Sequence, residues 1–217
     1  MEDIQYNKKS LAIIGAGGLG REMYSWISQT ENFKNLYEFQ GFIDDDLDKL
    51  KKFNYNQKII ASLKNNDFSE FDNILIAISN LLIKHDIYSI LNVKRNKIIG
   101  FIHDTTLIGL NCVYEKCLIT LPNVIISCDV ILGKGVYINN GSQIGHDVQI
   151  GDFVNIMANV DIGGNCTIGN YVTIGSGATI LPGLKIPDNT VIGAGAVVFR
   201  NIKDSGTYVG NPAKRIF

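Results

Sequence analysis

Residues 143–198 read QIGHDVQIGDFVNIMANVDIGGNCTIGNYVTIGSGATILPGLKIPDNTVIGAGAVV. An aliphatic residue returns every sixth position: Ile144, Ile150, Ile156, Ile162, Ile168, Ile174, Ile180, Ile186, Ile192 and Val198. Going backwards the beat runs through Ile138, Leu132 and Ile126, breaks at Thr120 and Tyr114, and resumes at Ile108 and Ile102. Glycine often follows the beat residue, as at Gly133, Gly145, Gly151, Gly163 and Gly193, and four residues after the beat stands a small or β-branched residue such as Val136, Val148, Val160 or Ala178. A period of six is neither that of a helix nor that of an ordinary strand. It is the hexapeptide signature of a parallel β-helix, in which three hexapeptides make one triangular coil and each beat residue stacks on its equivalent about 18 residues on. Such hexapeptide helices coil left-handed, against the usual crossover rule. Glycine beside the beat is expected to relieve crowding where the backbone turns a corner.

Ahead of the ladder the pattern changes. Leu11–Ile14 is a short apolar strand. Gly15, Gly17 and Gly20 follow as G-x-G-x-x-G, and helical periodicity begins at once behind them. Strand, glycine turn and helix N-terminus in this order are the context a phosphate-binding fingerprint needs, and Gly15, Gly17, Gly18 and Leu19 are its candidate residues. A second strand, Phe39–Ile43, ends in Asp44, Asp45 and Asp46, which read either as a solvated turn or as acceptors for a ribose. A third, Asn73–Ile78, ends at Ser79 and Asn80, and a helix over 81–91 carries Lys84. A fourth, 97–101, feeds the ladder. The chain thus divides into a half-Rossmann-like α/β domain at 1–101, too short for both halves of a dinucleotide fold, and a left-handed β-helix at 102–217 whose tail caps the last coil.

The bulk properties exclude several classes. With 46% hydrophobic residues and a net charge of −1, nothing marks a nucleic-acid binder. No apolar run is long enough for a membrane span, the first residues lack a signal-peptide core, and Cys112, Cys117, Cys128 and Cys166 are expected to be reduced thiols in a cytoplasmic protein. Of the three histidines, His103 and His146 lie in the ladder, short of the three or four ligands of a zinc site. His146 stands at a coil corner, two places after Ile144, with Asp147 beside it and the polar Asn139-Asn140-Gly141-Ser142 before it. An imidazole beside a carboxylate suits a general base.

Both halves in this order resemble the sugar acetyltransferases typified by the bacillosamine-pathway (PglD-type) enzyme, the perosamine N-acetyltransferases and the sialic-acid O-acetyltransferase-like (NeuD-type) proteins. The likeness rests on Ile14-Gly15-Ala16-Gly17-Gly18-Leu19-Gly20-Arg21-Glu22, Gly41-Phe42-Ile43-Asp44-Asp45, Ala77-Ile78-Ser79-Asn80, the ladder, and Val209-Gly210-Asn211-Pro212-Ala213-Lys214. It implies a homotrimer with acetyl-CoA as acyl donor in a groove between β-helices. A nucleotide-linked amino sugar for glycan assembly sits on the N-terminal domain, and no metal takes part. The resemblance puts the base at His146 with Asp147, and the leading amides at Asn139 and Asn140. Asn155 stands where close members carry a second histidine. Gly164 falls near the thioester, with Ser176, Gly193 and Ala194 along the pantetheine. N-acetylation is the leading expectation. O-acetylation is the alternative, followed by a nicotinamide-dependent oxidoreductase and a solenoid scaffold without chemistry.

Overall fold

The computed structural model of the protein describes residues 8–65, 68, 70–93, 97–115 and 117–216. The chain forms two compact units, Met1–Gly100 and Phe101–Phe217.

In the first unit the apolar run at Leu11–Ile14 lies in the central strand β1 (Lys9–Ile14), and all four of those side chains are fully buried. Helix α1 (Gly18–Gln29) and the short α2 (Glu31–Leu36) lead to β2 (Tyr37–Ile43); β3 (Ile59–Ala61), β4 (Asn73–Ile76), α3 (Leu81–Val93) and β5 (Ile98–Ile99) follow. The sheet is wholly parallel in the order β3-β2-β1-β4-β5. Strand order reverses at β1, so the crevice beyond the carboxyl ends of β1 and β4 is the place where open α/β sheets take ligands. Sequence pattern misses β3, an edge strand of three residues too short to show a period, and α2, which buries no residue. On α3 the sheet needs one stripe only: Ile87 and Leu91 are buried, while Leu82, Ile83 and Ile90 stand exposed.

The second unit is a parallel β-solenoid of the left-handed hexapeptide kind. Its two-residue strands form three faces. The first carries the inward residues Ile108, Ile126, Ile144, Ile162, Ile180 and Val198; the second Tyr114, Leu132, Ile150, Ile168 and Ile186; the third Ile102, Thr120, Ile138, Ile156, Ile174 and Ile192. Register between coils is 18 residues throughout, as in Ile126↔Ile144 and Ile144↔Ile162. The beat residues and the small residues four places on together make one continuous core. Where the beat breaks the coil does not. Thr120 is fully buried, its hydroxyl 2.9 Å from that of Thr106, so the polar group is satisfied inside. Tyr114, on the first coil of its face, remains exposed. Thr207–Val209 extends the third face parallel to Val191–Ile192, and Lys214–Arg215 closes it antiparallel.

The corners differ from the sequence expectation in one respect. Glycine after the beat is needed because the next coil passes close: a Cβ on Gly145 would lie 2.5 Å from the Gly164 nitrogen. The left-handed turn itself falls two residues later, at Asn111, Asp129, Asp147, Asn159, Asn165 and Asn189 among others. Asn and Asp tolerate that conformation better than other non-glycine residues. Phe153 and Tyr171 adopt it too, with their rings stacked at 5.7 Å. Donors in the small inward slot bond the carbonyl fifteen residues on: Cys112 to Ser127, Ser142 to Met157, Cys166 to Leu181. All four cysteines are free thiols, and burial pushes that of Cys166 up.

Because the core is a stack of near-identical layers, truncating one layer leaves a void that its neighbours cannot fill. Ile162→Ala is expected to cost about 2–5 kcal/mol, while Thr167→Ala on the exposed side of the second face stays within about 0.5 kcal/mol, read from urea midpoints at constant slope.

Candidate active site

The four glycines of the fingerprint divide into two pairs. At Gly15, with φ +98°, a Cβ would lie 2.7 Å from the Ala77 carbonyl oxygen; at Gly20 it would lie 1.8 Å from the Gly15 carbonyl oxygen. These two exist because helix and strands pack closely. At Gly17 and Gly18 a Cβ would meet nothing within 4 Å. Packing alone does not ask for glycine there, so the space in front of them is open to a ligand's approach. Helix α1 begins at this point with Gly17 as its N-cap, no side-chain cap and no acidic residue in its first turn. Its leading N–H groups and the positive end of its dipole face that opening, which suits a phosphate.

The acidic strand end is more structural than the sequence suggests. Asp44 is buried, and its carboxylate accepts the Ala16 N–H at 2.8 Å, the Asp46 N–H at 3.0 Å and the Lys49 ammonium at 3.1 Å. It fixes the glycine turn from below, because the chain's own donors already engage both oxygens. Asp45 is exposed and accepts the Ser62 hydroxyl, which with the Lys64 N–H holds its carboxyl below the usual range. Asn80 caps α3 by accepting the Ile83 N–H at 3.0 Å, and Lys84, one turn on, is buried. Sequence pattern does not mark the segment after Asp46. Leu50, Lys51, Phe53, Tyr55 and Lys58 line a cleft of about 470 Å³, and the Arg21 guanidinium sits 3.4 Å from the centre of the Phe53 ring.

In the second unit the 18-residue register sorts the candidates onto separate edges. Asn139, Asn140, Ser176, Gly193 and Ala194 fall on the edge between the third and first faces. His146, Asp147 and Gly164 fall on the edge between the first and second. Asn155 lies on neither edge. It is buried, on the third face between Tyr137 and Thr173. In a triangular coil the third face is opposite the edge that carries His146, so within one chain the structure does not bring Asn155 to the histidine.

The edge between the second and third faces is occupied by a structural ladder. Asp152 accepts the Lys134 N–H, Asn170 that of Asp152, and Asp188 that of Asn170, each near 2.7–2.8 Å and one coil apart. His146, at the equivalent place on its own edge, makes no such bond. Its Nδ1 lies 2.7 Å from Asp147 Oδ2, and its ring rests over Gly164, where a Cβ would come within 2.7 Å of Nε2. With Nδ1 turned to the carboxylate, Nε2 carries the free lone pair. Both side chains are more than half exposed, at 62% and 59%. One coil before lie Cys128 and Asp129, found by stepping back 18 residues. The Asp129 carboxylate accepts the Asn111 amide at 2.9 Å. The Cys128 thiol donates to Asp129, which pushes the thiol up and keeps it protonated, so it is no nucleophile at neutral pH. His103 instead bonds Thr105 through Nδ1. Among the described residues no group of three metal-ligating side chains is present, and no helix is long and apolar enough to cross a membrane.

Residues 10–91 match the family described as the PglD N-terminal domain, and residues 147–182 and 165–200 match the bacterial transferase hexapeptide (six repeats). The acetyltransferase domain of PglB from Neisseria gonorrhoeae FA1090 is similar over 96% of this chain and 100% of its own, with 25% identity and a TM-score of 0.82. The same domain in complex with acetyl coenzyme A gives 26% identity and 0.80 over the same shares. PerB from Caulobacter crescentus, in complex with CoA and GDP-perosamine, shares the fold at 21% identity over 94% of this chain and 96% of its own, with a TM-score of 0.78.

The two glycine pairs separate by stability. Gly20→Ala forces a backbone clash and is expected to lower the thermal midpoint by many degrees. Gly18→Ala, in open space at a helix start, leaves it unchanged or raises it by the equivalent of about 0.5–1 kcal/mol.

Proposed function

We propose that this chain is a sugar acetyltransferase of the PglD type that transfers the acetyl group of acetyl-CoA to the amine of a nucleotide-linked amino sugar, a 4-amino-4,6-dideoxyhexose, in the cytoplasm for surface-glycan assembly. The observation that carries the reading is the His146 edge. The base has one nitrogen committed to a carboxylate and the other free above Gly164, where the next coil presents two successive glycines, Gly163 and Gly164.

The amine nitrogen attacks the thioester carbonyl and a C–N bond forms. His146 Nε2 takes the amine proton while Asp147 holds the ring by Nδ1. The tetrahedral oxyanion is met by a backbone N–H near Gly164, and collapse breaks the C–S bond and releases coenzyme A as the thiolate, which is then protonated. The extended pantetheine lies along small residues, Ser176, Gly193 and Ala194. The nucleotide diphosphate is assigned to the open glycines of the first unit, Gly17 and Gly18 with Leu19, at the uncapped α1 N-terminus. Asp45, Asn80, Lys84, Asn139 and Asn140 are the further substrate positions, and Asp44 supports them by fixing the turn.

The candidates for one acyl transfer lie on two edges and one face of the prism, with Asn155 opposite His146. A groove between two copies would collect them, Asn155 coming from the neighbour. The working form is then a homotrimer. An apolar stripe of Leu107, Leu110, Val113, Ile125 and Ile131 stands exposed beside the His146 edge, more than a lone solenoid would leave to water.

Thiol release from acetyl-CoA, followed with UDP-, dTDP- and GDP-linked 4-amino sugars, should appear with one of them and fall about 10²–10⁴-fold in His146→Ala. Equal release by the variant would remove His146 as the base, and release only with a hydroxyl sugar would make this an O-acetyltransferase. Light scattering should give three times the chain's 23.9 kDa, and Ile131→Asp a smaller species.

A further inference from the structure

The ladder on the edge between the second and third faces shows what the corner two places after an inward residue does when it is structural. There the N–H groups of Lys134, Asp152 and Asn170 donate to the side-chain oxygens of Asp152, Asn170 and Asp188, each one coil on. On the His146 edge the same places are held by Cys128, His146, Gly164, Pro182 and Arg200. Glycine has no side chain, and proline offers neither a side-chain acceptor nor an N–H. No ladder forms, and among the described residues no group accepts the Gly164 N–H. The His146 N–H is left the same way by Gly164, but it is over Gly164 that Nε2 rests. The backbone around the Gly164 N–H is tied on every side. The Gly163 N–H donates to the Ile180 carbonyl at 2.8 Å, the Gly183 N–H to the Gly164 carbonyl at 2.9 Å, and the Asn165 N–H to the His146 carbonyl at 2.7 Å. Pro182 lies directly over this peptide: a Cβ on Gly163 would come 2.6 Å from the Pro182 nitrogen and 2.7 Å from its Cδ.

We infer that Pro182 is a positioning residue that acts through Gly164: it fills the corner where an Asp or Asn would bond the Gly164 N–H, and so keeps that donor for the oxyanion of the tetrahedral intermediate. Pro182 itself bonds nothing in the reaction. A donor already held by a carboxylate or amide has to leave its partner as charge develops on the thioester oxygen. A donor fixed in direction and without a partner has nothing to leave, which is what makes such a group effective. The two edges share one backbone and differ in residue type at one place. With Asp and Asn there the N–H groups hold coils together, and with Gly and Pro there an N–H stays open beside the base. The inference deepens the acetyl-transfer reading and rests on it for the identity of the oxyanion, but the open N–H belongs to the coil whatever binds to it.

Pro182→Asn supplies the missing acceptor, as Asn170 does on the other edge, without adding charge near His146. Pro182→Ala removes the ring and supplies none. In thiol release with the accepted amino sugar, kcat should fall about 10–10²-fold in Pro182→Asn. That is less than the full loss of an oxyanion donor, because a bonded N–H can still be freed. Pro182→Ala should keep kcat within about threefold, with KM for the amino sugar within about twofold in both variants. The thermal midpoint of Pro182→Asn should equal or exceed that of Pro182→Ala, since it gains a hydrogen bond. The independent readout is the Gly164 amide itself. Gly17-Gly18 and Gly163-Gly164 are the chain's two Gly-Gly pairs, so glycine labelled at both carbonyl carbon and amide nitrogen leaves two amide signals in a carbonyl-selected NMR spectrum. The one lost in Gly18→Ala is Gly18, and the other is Gly164. The Gly164 amide should exchange its hydrogen rapidly in the wild type and in Pro182→Ala, and about tenfold or more slowly in Pro182→Asn. Equal loss of rate in both variants makes the shape of proline the cause and overturns the inference. Full activity in Pro182→Asn overturns it too: with the amide protected, the Gly164 N–H is not the oxyanion donor, and with the amide unprotected, the corner does not hold an acceptor. Absence of thiol release by the wild type, with the Gly164 amide protected only in Pro182→Asn, overturns the acetyl-transfer reading and leaves the open N–H standing.

Discussion

Every part of the second unit depends on one constraint: each inward side chain must rest on its equivalent 18 residues away. An isoleucine beneath an isoleucine buries on the order of 1.5–3 kcal/mol per side chain, and the next layer repeats it. The repetition then dictates the backbone. A coil of fixed length must turn at fixed places, so left-handed residues recur at the third position after most inward residues, filled by Asn, Asp or Gly and twice by an aromatic, Phe153 and Tyr171. Even Thr120 obeys, because its hydroxyl finds Thr106 inside.

The same constraint makes an active edge possible. Side chains at equivalent corners form columns, and a column has a character. One edge is a ladder of Asp and Asn side chains, each bonded to the backbone of the preceding coil, and its polar capacity is used in holding coils together. On the His146 edge the imidazole is bonded within its own corner, to Asp147, and so keeps a free nitrogen. Glycine in the coil above leaves the ring room. Chemistry on this scaffold needs little local rearrangement, only a change of residue type in a column that is already straight.

The first unit reaches a comparable result by another route. Two of the four glycines at residues 15–20 are needed for packing and two are not, and the two that are not lie where the helix begins. Asp44 shows how a functional motif can be partly architectural: a carboxylate at the end of β2 is turned inward to hold the glycine turn, with Lys49 closing the other side.

The amino-acid sequence alone determined the solenoid, its length and its small-residue slots, because a period of six has one soluble solution and the core that enforces it is local and repetitive. It also determined the glycine turn and singled out His146 beside Asp147, since both signals lie within a few consecutive residues. The tertiary structure decided what depends on residues far apart in the chain. It turned Asp44 inward, found β3 on an edge too short to leave a pattern, and set Asn155 on the face opposite His146 although only nine positions separate them in the sequence. It also set Cys128 one coil from His146 at the same corner, eighteen positions away. The physical reason is the same for all of these. Periodicity says which residues face inward, whereas the neighbours of an outward side chain are fixed by how coils and strands stack, and that is a property of the folded chain.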